Sequence, residues 1–80
     1  MKYIFDVETN GLLDVLTKIH CLVIKDVDTE KVYSFRPDKV EEGLKLLSEA
    51  KEIIGHNIIK FDLPAILKVY PEWRTKAKIT

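Results

Sequence analysis

Tyr3-Ile4-Phe5-Asp6-Val7-Glu8-Thr9-Asn10-Gly11-Leu12 is the segment from which the fold is read. The apolar run Tyr3-Ile4-Phe5 predicts a strand, and Asn10-Gly11 predicts its end. Strand side chains at i and i+2 share a face, so Asp6 and Glu8 stand side by side. On a strand as apolar as this one the pair is expected to be costly, because each carboxylate opposes ionisation of the other. A divalent cation held by oxygen ligands relieves that cost. The segment therefore reads as half of a metal site.

Working outward, Met1 to Val7 is expected as strand one, Ile19 to Lys25 as strand two and Lys31 to Arg36 as strand three. Short connections make these an antiparallel meander. Pro37-Asp38 opens a helix, with Asp38 as its expected cap and Glu41 completing a capping box. Val40, Leu44 and Leu47 fall at i, i+4 and i+7 and form one apolar stripe. Glu52 to His56 is expected as strand four, and a helix between strands permits parallel pairing with strand one. Ile58 to Lys60 is a connection. A second helix starts around Asp62, accepts Pro64 in its first turn, and runs to about Tyr70, where Pro71 stops it. The tail from Glu72 to Thr80 is basic and has no evident partner. The order β-β-β-α-β-α resembles the beginning of a ribonuclease-H-like mixed sheet. A fifth strand is not expected after helix two, so the chain reads as lacking the C-terminal part of that α/β fold. A bare sheet edge invites strand pairing, which makes a homodimer an expectation.

Eighty residues make one domain. The chain is 46% hydrophobic and 32% charged, the balance of a globular protein rather than a disordered one. Its formal net charge is zero, from 13 basic and 13 acidic residues, which argues against a strong non-specific polyanion binder. A nuclease remains compatible, since its bound cations bring the positive charge. The single cysteine, Cys21, excludes an internal disulfide and reads as an inert thiol in an apolar run. No apolar stretch approaches the ~20 residues of a membrane span. Met1-Lys2 runs straight into a strand, so no signal peptide is read and the expected compartment is the cytoplasm.

The second acidic position is Asp62, in His56-Asn57-Ile58-Ile59-Lys60-Phe61-Asp62-Leu63-Pro64. Asp at a helix start has an ordinary explanation, capping. However, strand four is expected beside strand one, so this loop leaves the sheet near Asp6 and Glu8. Three carboxylates at one sheet edge would suit Mg²⁺ or Mn²⁺, and two ions roughly 4 Å apart serve phosphodiester hydrolysis.

Asp6-Val7-Glu8-Thr9-Asn10-Gly11-Leu12-Leu13 is similar to the first motif of the DnaQ-like (DEDD) 3′–5′ exonucleases. His56-Asn57 through Phe61-Asp62 is similar to their second. The likeness extends to the proofreading domain at the start of bacteriophage family A DNA polymerases, through Leu16-Thr17-Lys18-Ile19-His20-Cys21 and Phe61-Asp62-Leu63-Pro64-Ala65-Ile66. It spans Lys2 to about Val69. The resemblance implies a metal-dependent exonuclease acting on single-stranded DNA 3′ ends, within or beside a polymerase. For a phage protein, the compartment it implies is the host cytoplasm. It also implies roles: Asp6, Glu8 and Asp62 as catalytic metal ligands, Thr9 and Leu12 as contacts to the 3′ nucleotide, and Asn57 as a residue of the substrate cleft. The family's third motif, with a fourth carboxylate and a Tyr or His that orients water, has no counterpart in these residues. Residues 1–80 thus read as a partial exonuclease domain, incomplete alone, with the remainder supplied in trans as one route to activity. The rival reading is a non-catalytic module, derived from such a domain, that binds nucleic acid or polymerase.

His20-Cys21 has no further ligand at zinc spacing. Tyr33, Phe35 and Trp73 read first as packing residues and second as base-stacking platforms. Lys68, Arg74, Lys76 and Lys78 read as a solvated basic cluster, with phosphate contact as the alternative.

Overall fold

The computed structural model describes residues 1–11, 14–55 and 61–80. Its elements are β1 (Lys2–Thr9), β2 (Ile19–Asp26), β3 (Val32–Phe35), α1 (Val40–Ser48), β4 (Glu52–Gly55), α2 (Leu63–Val69) and β5 (Lys78–Ile79). The five strands form one mixed sheet in the order β3-β2-β1-β4-β5. β1, β2 and β3 make the antiparallel meander, while β4 runs parallel to β1 and β5 parallel to β4.

Alternation along β1 divides the sheet into two faces. Tyr3, Phe5 and Val7 are buried, whereas Ile4, Asp6 and Glu8 are exposed. The buried set joins Leu22 and Ile24 of β2, Ile53 of β4, Val40, Leu44 and Leu47 of α1, and Ile66 of α2 in one core. Both helices thus add to a single layer on one face, and burying each large aliphatic contributes ~1.5–3 kcal/mol. The stripe expected in α1 is the stripe that is buried.

Gly43 sets how closely α1 approaches. A Cβ there would stand 2.6 Å from Leu22 Cδ2 and 2.7 Å from Phe35 Cδ2, so only a missing side chain lets the helix settle onto β2 and β3.

Three expectations require correction. Asp38 and Glu41 do not form a capping box. Pro37 to Lys39 make a 3-10 turn, with Lys39 N–H donating to the Arg36 carbonyl at 2.8 Å, and α1 begins at Val40 without a side-chain cap. The fixed φ of Pro37 favours this tight lead-in.

The tail does have partners. The Trp73 indole donates to the Leu44 carbonyl at 2.9 Å, the Thr75 hydroxyl donates to the Leu47 carbonyl at 3.3 Å, and Ala77 is buried.

That anchorage delivers the fifth strand that was not expected. Lys78 N–H donates to Lys51 and Thr80 N–H to Ile53, and the Thr80 hydroxyl donates to Glu52 Oε2 at 2.6 Å. A two-residue strand with both residues exposed has no readable alternation, so it left no trace in the hydrophobic pattern. β5 occupies the β4 edge beside Glu52 and Ile53 and so becomes the edge strand on that side of the sheet.

The β2–β3 turn is held by Asp26, whose Oδ1 accepts from Asp28 N–H at 2.9 Å and Thr29 N–H at 3.2 Å. Glu30 closes the turn with φ of 64°, in the left-handed region.

Candidate functional site

Asp6 and Glu8 lie within β1, which runs two residues further than the apolar pattern indicated. They share the face opposite the core and are both exposed. The expected burial cost is therefore absent, because solvent screens charges on this face. Among the described residues neither side chain is engaged by a hydrogen bond or ion pair, in contrast to the Lys2–Glu52 and Lys39–Glu42 pairs. Opposite Asp6 on β2 is Val23, and opposite Glu8 is Cys21, so neither faces a cation across the strand pair. Two adjacent, unneutralised oxygen donors fit a hard divalent cation in donor chemistry.

Asp62 is buried, at 3% exposure, immediately before α2. Its backbone is already helical (φ −60°, ψ −51°) and its side chain makes no cap hydrogen bond to α2. The ordinary reading of this Asp as a helix cap is therefore not the arrangement found. β1 and β4 are parallel with Phe5 beside Gly55, so β4 ends at the sheet edge toward which Asp6 and Glu8 extend. The chain leaves that edge at Gly55 and is described again from Phe61. Among the described residues no group of three or more Asp, Glu, His or Cys side chains is close enough to hold a metal ion. The structure thus brings Asp6 and Glu8 together and places Asp62 at the entry to α2, without closing the three into one cluster.

Thr9, at the end of β1, is half-buried, and its hydroxyl donates to the Gly11 carbonyl at 2.7 Å. Leu12, Asn57 and His56 lie outside the described residues.

Two features were missed in the sequence. First, Glu8 pairs with Cys21 but Thr9 with Ile19, so β2 carries one extra residue, His20, at this point. Bulges of this kind re-aim neighbouring side chains. The exception to alternation in Ile19-His20-Cys21-Leu22, whose first and last residues are both buried, was its signal. Second, the Asn10 side chain spans the β1–β2 connection through Thr17 and Lys18. Asn-Gly was read only as a break.

A groove of about 500 Å³ between α1 and the tail is lined by Leu44, Lys45, Tyr70 and Trp73 among others. It belongs to the helix-bearing face and is separate from Asp6 and Glu8. Tyr33 and Phe35 are half-buried against the core, as expected for packing residues, and Lys31 Nζ lies 4.9 Å from the Tyr33 ring centre. No helix among the described residues is long and apolar enough to cross a membrane.

The chain is 38% identical over 68 residues to the DNA-directed DNA polymerase of Escherichia phage T7. It is 40% identical over 68 residues to that of Enterobacteria phage T3. Each match covers 80% of this chain and 10% of the polymerase. No family model matches the chain.

Proposed function

We propose that this chain, a relative of phage DNA-directed DNA polymerases over 68 residues, carries part of a metal-dependent 3′–5′ exonuclease site acting on DNA 3′ ends. The observation that carries this reading is the exposed Asp6–Glu8 pair at the end of β1, without a neutralising partner among the described residues, with the parallel β4 ending at the same sheet edge. The strand order β3-β2-β1-β4-β5, with only β2 antiparallel to its β1 and β3 neighbours, supports a ribonuclease-H-like fold.

In this reading Asp6 and Glu8 would hold Mg²⁺ or Mn²⁺, and Asp62, apart from them in the structure, would have to close onto the same ions. Such ions would supply a nucleophilic water at neutral pH and charge stabilisation for the leaving oxygen. Asp6 and Glu8 orient those ions from a rigid central strand, and Thr9, beside them, meets the terminal nucleotide. Leu12 and Asn57 are assigned to the 3′ nucleotide and the substrate cleft on the sequence resemblance. The fourth carboxylate and the residue that orients water come from further polypeptide, in the same chain or in trans. A single-stranded DNA end is the substrate, and a polymerase the natural partner.

The test is nucleotide release from a labelled DNA oligonucleotide with Mg²⁺ or Mn²⁺, for the protein and for Asp6→Ala. Metal-dependent release that proceeds from the 3′ end and is lost in Asp6→Ala supports the reading. Full activity in Asp6→Ala, or activity independent of metal, refutes it. Metal-dependent DNA binding without release would instead identify the non-catalytic module.

A further inference from the structure

The side chain of Asn10 reaches across the whole β1–β2 connection. Its Oδ1 accepts from Thr17 N–H at 3.0 Å and from Lys18 N–H at 3.2 Å. Its Nδ2 donates to Thr17 Oγ1 at 3.0 Å. Its backbone N–H donates to the Lys18 carbonyl at 3.2 Å. All four bonds join the residue after β1 to the residues before β2. From the other side of Asn10, the Thr9 hydroxyl holds the Gly11 carbonyl.

This clamp sits directly beside the bulge at His20, where pairing shifts between Glu8 and Thr9. A shift of register by one residue turns a strand's side chains to the other face. The extra residue is in β2, so holding the bulge at this position fixes which β2 residues stand beside Glu8 and Thr9 and where the end of β1 that carries them runs. Asn10 is the group whose bonds fix both strand ends there.

We propose that Asn10 is a positioning residue for the candidate site: it locks the bulged end of the β1–β2 pair, and so holds Glu8 and Thr9 in the direction needed to meet metal and nucleic acid. This rests on the exonuclease reading above. Groups that orient metal ligands from outside the coordination sphere commonly change affinity by about 10–100-fold when removed.

A purely structural role is separated by a matched control. Asp26 also bonds two backbone N–H groups through one side-chain oxygen, at the opposite end of β2. Asp26→Ala therefore loosens the same sheet without touching the site. The experiment is Mn²⁺ titration by calorimetry on the wild type, Asn10→Ala and Asp26→Ala, with amide exchange at Thr17 and Lys18 in parallel. The expected result is wild-type Mn²⁺ binding, weakened about tenfold or more in Asn10→Ala with faster exchange at both amides. In Asp26→Ala the affinity stays within about twofold, well short of that range. Should Asn10→Ala not fold, Asn10→Ser, too short to reach both amides, is read the same way. If the wild type binds Mn²⁺ and Asn10→Ala binds it equally well, or if Asp26→Ala weakens binding as much, the positioning role is overturned while the exonuclease reading stands. A wild type that binds no Mn²⁺ overturns both.

Discussion

Trp73 donates its indole N–H to the Leu44 carbonyl at 2.9 Å, fixing the tail to α1 before it enters the sheet as β5. Its ring is half-buried against the core, in the company of Tyr70 and Val69. Trp73→Phe keeps most of the apolar area and removes the hydrogen bond, at a cost of about 1 kcal/mol. Trp73→Ala removes both and costs about 3 kcal/mol. Urea unfolding followed by circular dichroism measures each. Wild-type stability in both variants would mean that the tail is not tied to the fold through this residue.

Gly43 lies within α1, where alanine ordinarily improves a helix by about 1 kcal/mol. Here the opposite sign is expected. The added methyl meets Leu22, which is fully buried, at 2.6 Å and the Phe35 ring at 2.7 Å. Overpacking of this kind costs about 1–3 kcal/mol, so Gly43→Ala is destabilising on balance. A rise in melting temperature for Gly43→Ala would refute the close approach of α1 to β2 and β3.

Glu52 of β4 links β1 to the residue after β5. Its carboxylate accepts from the Thr80 hydroxyl of the tail and pairs with Lys2 Nζ at 3.5 Å. The Thr80 hydrogen bond is the largest influence holding its carboxyl below the ordinary glutamate value; desolvation opposes it, and the Lys2 and Lys78 ammonium groups add to it. With the folded value depressed, the unfolded chain takes up the proton first. The stabilisation is therefore complete above the ordinary glutamate pKa of about 4.3 and is lost as pH falls through the lower folded value. Glu52→Gln should thus be less stable than the wild type at pH 7, and the gap should close on acidification through that window. A gap that is unchanged across it would show that the charged carboxylate contributes nothing.

Much of the fold was legible because its signals are local and repeated. Val40, Leu44 and Leu47 mark one helical face, and the alternation of Tyr3, Phe5 and Val7 marks one face of β1. The parallel pairing of β4 with β1 followed from the helix between them. What escaped depends on contacts far apart in the chain. β5 is two exposed residues held by Lys51, Ile53 and Glu52, and no pattern within Lys78-Ile79 encodes those partners. Asp38 carried the right residue type for a cap, but Pro37 drew the chain into a 3-10 turn first. At the candidate site, the pairing of Asp6 with Glu8 on one face was readable from spacing alone. That this face is exposed was not, because the sequence does not say which side of a strand the helices will cover.

In the proposed exonuclease site, Asp6, Glu8 and Asp62 act on one metal centre. Paramagnetic broadening of amide resonances during Mn²⁺ titration tests it most directly, because broadening falls steeply with distance from the ion. The expected result is that the signals of Asp6, Glu8 and Asp62 broaden together at the same Mn²⁺ concentration, and that Asp6→Ala abolishes all three effects. Broadening at Asp6 and Glu8 with Asp62 unaffected, or no selective broadening at any of them, would contradict it.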